Sequence, residues 1–318
     1  MQPLWLSIVQ LLTGIFTLVE LNCENLFDCQ HDSLKQDQEF LAESPRHWNT
    51  HRYWDKLNHI GQEIIACGES SDGWTLPDMV LLCEVENDSV CRDLCRRSML
   101  RQAGYDYLVT ESPDLRGIDV ALLYSPFSFR PVTHYAIRVD PLSDMRPTRD
   151  ILYASGQTTD GDTLHVFVVH APSRYGGEHA TRPHRLQVAD RLCQSIDSIR
   201  ALSPHPRIVI AGDFNDYHDN AAPRQLEQHG LHNISKTACG SHGARGTYKY
   251  EGSWRSLDHI FVSEGLLVLS MSCRIFDAPF LLKEDKEYGG VMPRRNYNGL
   301  RYENGYSDHL PLVARFRF

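Results

Sequence analysis

The 318-residue chain has no surplus of basic charge, its formal net charge being −9. A nonspecific coat on nucleic acid is therefore excluded, because such binding rests on Lys and Arg neutralising many phosphates. Any phosphate the protein handles must be met by local groups. The chain also lacks a long, clean hydrophobic run. Pro3–Val19 is largely apolar but too short and interrupted for a membrane span, so no stable membrane insertion is expected. The same segment has no Lys or Arg ahead of its apolar part and no small-x-small cleavage site, which makes it a poor export signal.

Zinc-type cysteine spacing is missing too. Cys91 and Cys95 are four apart, but no matching His or Cys pair follows them. The nine cysteines form an odd set, and Cys23, Cys83 and Cys193 fall within apolar patterns as small buried hydrophobes do. Reduced thiols and a cytoplasmic location follow, with export through an atypical amino-terminal signal as the alternative. Gly240–Gly246 is glycine-rich and reads as a flexible loop without phosphate-loop spacing. No low-complexity linker, charge block or repeat divides the chain, so one domain over 1–318 is expected, with 1–14 an apolar segment of unassigned role. A monomer is the simplest assembly.

What is present is an ordinary globular composition, 42% hydrophobic and 23% charged, in which strands and helices mix without strict alternation. Short β-rich runs predict strands at Ile15–Leu21, Met79–Cys83, Tyr105–Thr110, Val120–Tyr124, Ile151–Gly156, Leu164–Val169, Ile208–Ala211, Leu257–Val262 and Leu312–Phe318. Helical spacing marks Tyr53–Cys67, Val90–Ala103 and Leu186–Ile199. Cys29–Trp48 reads as a loop, Ile137–Thr148 as irregular, and Lys283–Gly305 as an excursion rich in Lys, Arg, Tyr and Gly. The expected fold is α/β (α+β), with mixed sheets covered by helices and not a purely parallel doubly wound sheet.

The stretch Arg207–Tyr217, RIVIAGDFNDY, shows where the chemistry begins. Its hydrophobic run stops at Gly212, and if strand geometry persists Asp213 and Asn215 point to the same side. A plain Asx turn explains the same residues about as well. The pattern recurs, however. Asn22 with Glu24, Glu84, His170, Asp258, and Asp308 with His309 all stand at predicted strand ends. Each has a bland explanation alone; their joint order does not.

That order resembles the endonuclease/exonuclease/phosphatase family of metal-dependent phosphodiesterases, through LNCENLFD, LLCEVEN, RGIDVALLY, VVHAPSR, AGDFND, SLDHIFVS and YSDHLPL. The resemblance implies a four-layer sandwich of two packed mixed β-sheets flanked by helices. It implies Glu84 as principal ligand of Mg²⁺ or Mn²⁺, with Asn22 beside metal and phosphate and Asp308 as a further metal-site carboxylate. It casts Asp213 as the residue that orients or deprotonates the attacking water, Asn215 as a phosphoryl-binding amide, and His309 as a cation paired with Asp258. His170 matches the extra histidine of the deoxyribonuclease and sphingomyelinase branches. Glu24 stands where some branches have an Asp, one methylene shorter, and enters only as a candidate ligand. Arg116 is a candidate phosphate contact, with a salt bridge to a nearby acid equally compatible.

Those groups suit in-line hydrolysis of a phosphate ester, which needs an activated water and cations around the phosphoryl oxygens. The expected partner is a phosphate-ester substrate, DNA or RNA among the candidates, since the 283–306 excursion (Arg294, Arg295, Tyr297, Arg301, Tyr302, Tyr306) could stack bases. Hydrolysis of a phospholipid, sphingomyelin-like lipid or inositol phosphate is the alternative. A non-catalytic scaffold is the remote one.

Overall fold

A computed structural model describes residues 14–71, 73–142 and 145–318. The apolar segment before Gly14 lies outside the described residues. Among those described, no helix is long and apolar enough to cross a membrane.

Two six-stranded mixed sheets carry the fold. In chain order their strands are β1 (Ile15–Leu26), β2 (Met79–Val85), β3 (Asp106–Val109), β4 (Asp119–Tyr124), β5 (Phe129–Ile137), β6 (Ile151–Thr158), β7 (Thr163–His170), β8 (Arg207–Asp213), β9 (Leu231–Asn233), β10 (Asp258–Ser263), β11 (Ser270–Ile275) and β12 (Leu312–Arg317). The first sheet has the order β11-β12-β1-β2-β4-β3 and the second β9-β10-β8-β7-β6-β5. Each contains one parallel pair, β1 with β2 and β7 with β8, among antiparallel neighbours. The mixed sheets anticipated from the sequence are thus present.

Strand β8 is buried on both faces, and its side chains alternate between two cores as a two-residue period demands. Val209 and Ala211 join the core between the sheets, whereas Ile208 and Ile210 face a second core beneath the helices α3 (Glu178–Leu202) and α4 (Ala221–Gln228). On the opposite side α1 (Thr50–Ala66) and α2 (Asp88–Arg96) cover the first sheet with Leu57, Ile60, Ile64, Val90 and Leu94. Helix α1 starts where Asn49 accepts the amide hydrogens of His51 and Arg52, satisfying two of the donors every helix start leaves open. The four layers are helix, sheet, sheet, helix.

Several elements differ from expectation. β1 continues to Leu26 through a register shift after Asn22. The segment expected as one helix, Val90–Ala103, is α2 followed by a 3₁₀ turn at Met99–Gln102, because Ser98 turns its hydroxyl to the Leu100 amide and starts a new cap. Strand β5 was not anticipated: it is a solvated edge containing Pro131, where alternation is absent and the register slips beside the proline. The Gly240–Gly246 loop is fastened rather than flexible, since the Asp277 carboxylate accepts the amides of Ser241, His242 and Ala244. The excursion at 283–305 folds into two small hairpins, Leu282–Glu284 with Val291–Pro293 and Tyr297–Asn298 with Arg301–Tyr302.

Candidate active site

The carboxyl ends of the two parallel pairs reach the same edge of the sandwich, and the polar residues of the chain collect there. Open α/β sheets place ligands outside the carboxyl ends of their strands for the same topological reason. In the first sheet, β1 delivers Asn22 and β2 delivers Glu84. Glu84 sits on a β-bulge, marked by the register shift between Cys83 and Val85 and by its positive φ of 61°. A bulge re-aims one side chain, here turning a carboxylate out of the pleat. In the second sheet Asp213 pairs across from His170 on one side and Asp258 on the other. That approach depends on Gly212, where a Cβ would come 1.8 Å from the Val169 carbonyl oxygen. His309 joins from the segment before β12, its position fixed by Ser307, whose hydroxyl donates to the Asn22 carbonyl at 2.6 Å and accepts the His309 amide at 3.1 Å.

The side chains form one connected set. Asn22 Nδ2 donates to Asp213 Oδ2 at 3.1 Å. His170 Nε2 lies 3.8 Å from that same oxygen and 3.9 Å from Glu84 Oε1. The other Asp213 oxygen accepts the Asn215 amide at 2.8 Å, so the Asx turn anticipated as the bland alternative is real, and it leaves Oδ2 for the site. Asn215 adopts φ 49° and donates its carboxamide to the Ala171 carbonyl at 3.1 Å. His309 Nδ1 is 2.8 Å from Asp258 Oδ2, which also takes the Thr247 hydroxyl. Glu24, Asn25, Glu84 and Asn215 are four of the seven non-glycine residues at positive φ among those described. Such backbone costs about 1–3 kcal/mol per residue and gathers at working sites.

Charge is arranged unevenly. Burial opposes a charge on His309, yet Asp258, with Asp213 and Asp308 beyond it, overcomes that cost and raises its pKa well above the usual value. His309 is therefore an imidazolium whose Nδ1–H donates to Asp258. His170 is the opposite case: burial, then the guanidiniums of Arg149 and Arg116, hold its pKa well below the usual value and keep the ring neutral. Asp213 is pushed up to about 7, by burial first and by Asp258 next. Glu20, wholly buried in β1 with neither carboxylate oxygen bonded, is pushed well up by burial and by Asp258 and Asp213. The site thus holds more buried acid than cation.

That imbalance, with carboxylate and carboxamide oxygens as the donors, fits a hard divalent cation. Glu84 suits it best: Oε2 accepts the Asn25 amide at 2.8 Å, which fixes the side chain, and Oε1 faces His170. Asp213, Asp258 and His309 also bring ligating atoms within 4.8 Å of one another. We read that group as an ion pair and not a cage, because His309 Nδ1 is engaged by Asp258.

The cleft above these residues encloses about 740 Å³, and Glu84, His170, Asp213, Asn215, Asp308 and His309 line it. Asn22 and Asp258 are almost wholly buried and stand behind that wall, supporting Asp213 and His309. Arg116 sits at the rim, half-exposed, with its Nε 3.7 Å from Asp114. Glu24 also lines the cleft; its carboxylate accepts the amides of Asn296 at 2.6 Å and Tyr297 at 3.2 Å, and burial and Asp308 push its pKa to about 7.

A profile of the endonuclease/exonuclease/phosphatase family matches residues 17–317. The chain belongs to that family. Among solved structures, a family protein from Bacteroides vulgatus is similar at 18% identity and TM-score 0.61, covering 95% of this chain and 98% of that one. A mannosyl-6-phosphatase from Bacteroides thetaiotaomicron is similar at 15% identity and TM-score 0.61, covering 94% and 98%. Truncated TDP2 of Caenorhabditis elegans is similar at 17% identity and TM-score 0.58, covering 96% and 98%. No curated protein matches. Phosphate-ester hydrolysis is the chemistry of the family, and its enzymes generally depend on divalent metal.

Two further residues around the strand ends carried no signal of their own in the sequence. Arg149 is buried, paired with Asp114 at 3.2 Å, and donates to the carbonyls of His170 and Ala171 at 3.2 and 2.6 Å, holding the turn that presents His170. It follows a segment read as irregular, and nothing in its spacing signals the role. Arg295 lies between Glu24 and Asp308. Only its place in a basic, aromatic excursion hinted at it.

Proposed function

We propose that the protein is a divalent-metal-dependent hydrolase of phosphate esters, foremost a phosphodiesterase or nuclease. The observation that carries this reading is the meeting of Glu84, His170, Asp213, Asn215 and His309 in one cleft, with Asn22 and Asp258 behind them. Asp213 Oδ2, held by Asn22, accepts the proton of the attacking water. The His309 imidazolium donates from Nε2 to a phosphoryl oxygen as charge builds on it, its ring held by Asp258. Asn215 and the neutral His170 supply further donors to the phosphoryl group, and Arg116 can swing in from the rim. Glu84, with Asn22 and Asp308 nearby, would hold Mg²⁺ or Mn²⁺, which would supply Lewis-acid stabilisation of developing charge on the phosphoryl group.

The cleft is also ringed by Arg46, Arg174, Tyr175, Tyr217 and Tyr250. Aromatic faces beside guanidiniums favour a nucleic-acid strand, in which bases stack and phosphates pair. The test is hydrolysis with Mg²⁺, Mn²⁺ or EDTA across bis-p-nitrophenyl phosphate, single- and double-stranded DNA, RNA, sphingomyelin, inositol phosphates and a sugar phosphate, with His309→Ala as control. Metal-dependent cleavage of nucleic acid, lost in the variant, is expected. Turnover confined to the lipid, inositol or sugar phosphates would overturn the nuclease reading and keep the hydrolase. Turnover undiminished by EDTA would overturn the metal-dependent mechanism.

A further inference from the structure

Beside the catalytic cleft lies a second cavity of about 660 Å³ that the chemistry above does not use. Arg116, Ser173 and Tyr175 line both spaces, so the two adjoin. One wall is the loop at 112–117, and it is held firmly. Lys35 donates its ammonium to the carbonyls of Ser112 at 2.6 Å and Asp114 at 3.0 Å, and the Gln36 amide donates to the Leu115 carbonyl at 2.7 Å. Asp114 accepts the Arg116 amide at 2.9 Å with Oδ1 and Arg149 Nη1 at 3.2 Å with Oδ2, so this acid of the lining is already taken up. Met145 and Thr148 come from the segment before β6, and Pro172 and Tyr175 from the turn after β7. The lining is mostly apolar, with Arg116 and Arg146 adding positive charge, and the Tyr175 ring, 94% exposed, is open to stack. Thr148 is the exception in kind: it is 3% exposed, and its hydroxyl has no hydrogen-bond partner among the described residues. Buried polar groups are as a rule bonded, so an open hydroxyl at a cavity wall points to a ligand atom that completes it.

We propose that this cavity is a nucleobase subsite, which takes the base of a nucleotide next to the scissile phosphate when a single strand lies in the cleft. The proposal rests on the nucleic-acid reading above. A heteroaromatic ring with hydrogen-bonding edges, joined to a phosphate, matches an apolar cavity that has one open hydroxyl and positive charge beside it. A lipid tail would leave the Thr148 hydroxyl unpaired, and a bare phosphate would leave the apolar lining unused. The base stacks on Tyr175 and packs against Leu115 and Met145, the Thr148 hydroxyl bonds its polar edge, and Arg116, common to both spaces, faces the phosphate between them. A hydroxyl both donates and accepts, so the subsite favours the presence of a base over its identity.

Binding of a short fluorescein-labelled oligothymidylate, followed by anisotropy with EDTA present so that no strand is cut, tests this against the same strand built of abasic units. The unaltered protein should hold the thymidylate about tenfold more tightly than the abasic strand. Leu115→Trp, which fills the cavity, should weaken the thymidylate about tenfold and leave the abasic strand within about twofold. Thr148→Val keeps the shape and removes the hydroxyl; it should weaken the thymidylate about threefold without lowering Tm, since the deleted group has no partner to lose. Hydrolysis of methyl p-nitrophenyl phosphate with Mg²⁺, which brings no base, should stay within about twofold in both variants. Equal affinity of the unaltered protein for the two strands, or equal weakening of both by Leu115→Trp, would overturn the proposal. Should Leu115→Trp fail to fold, Thr148→Val decides, and an unchanged preference for the thymidylate would overturn the role of the hydroxyl and with it the subsite. Cleavage of the thymidylate with Mg²⁺ separates this proposal from the reading beneath it. A strand bound with these differences but left uncut would overturn the nuclease reading and keep the base subsite, whereas cutting without dependence on the base would overturn the subsite and keep the nuclease.

Discussion

One side of the cleft is built from the strand residues Asp213 and Asp258 with His309, and another from the excursion before β12, docked on the end of β1. Both bring acids together with one cation. On the strand side Asp213 and Asp258 surround the His309 imidazolium; on the loop side Glu24, near the end of β1, and Asp308, the neighbour of His309, surround the Arg295 guanidinium, which the excursion carries. The first cation can lose its proton, and the second cannot. The contrast teaches a division of labour: the group that must respond to the reaction is tuned by acids that strands hold in place, and the group that only balances charge rides on a loop fastened by hydrogen bonds.

Breaking the strand side should cost most. His309→Ala and Glu84→Gln are each expected to lower kcat on bis-p-nitrophenyl phosphate by about 10³-fold or more, the scale on which loss of a preorganised charge-stabilising group is felt. Steady-state kinetics checks this beside circular dichroism to show retained folding. Asp258→Asn tests the same ion pair through pH. Asp258 raises the His309 pKa, so activity that needs the imidazolium falls as pH rises through that raised value. Without Asp258 the fall should come at distinctly lower pH, and an unmoved alkaline limb in the pH–rate profile would show that His309 does not act as a cation.

Stability supplies a middle-sized effect. Asp213 and Glu24 are raised to about 7 and Glu63 to about 8, in each case by burial first. A carboxyl whose folded pKa is raised binds its proton more tightly in the native state. Its contribution to stability is full below the unfolded value near 4 and is lost as pH climbs toward 7 or 8. The metal-free protein should therefore melt at lower temperature at pH 8 than at pH 5.5. A cation beside Asp213 opposes that loss, so added Mg²⁺ should raise Tm more at pH 8 than at pH 5.5, measured by calorimetric scans.

The loop side should yield smaller changes. Glu24→Gln removes the charge that faces Arg295, and is expected to raise KM several-fold and to expose Arg294 or Arg295 to trypsin, with kcat the less affected. Tyr175→Ala and Tyr250→Ala should weaken a single-stranded oligonucleotide by about 1–3 kcal/mol per stacked base at most, with bis-p-nitrophenyl phosphate turnover unchanged. Equal effects on both substrates would remove stacking as the explanation.

The same division explains what could be read from the chain alone. Strand cores such as Ile208–Ala211 and Met79–Cys83 announce themselves by β-branched or apolar runs, and the polar residues after them mark the site. Glu84 was visible as a carboxylate after a strand, but its bulge and positive φ were not, because a one-residue register shift leaves no compositional trace. Strand β5 escaped because an edge facing solvent has no period to detect. Glu24 is a candidate ligand by position, but its hydrogen bonds to residues more than 270 positions away leave no trace in the local sequence. Arg149 acts through contacts 21 to 35 positions away, and Arg295 through Asp308 and the far more distant Glu24, which no local pattern encodes.

β1 has a consequence in the time domain. It lies between β2 and β12, and the Asn22 carbonyl receives Ser307 from the far end of the chain. Contacts so distant in sequence form late, because loop closure must precede them. The chain should pass through collapsed species in which β12 has not yet joined β1 and the cleft is not assembled, and hydrolytic competence should appear in refolding only with the slowest phase, after the amides of the second sheet are protected from exchange.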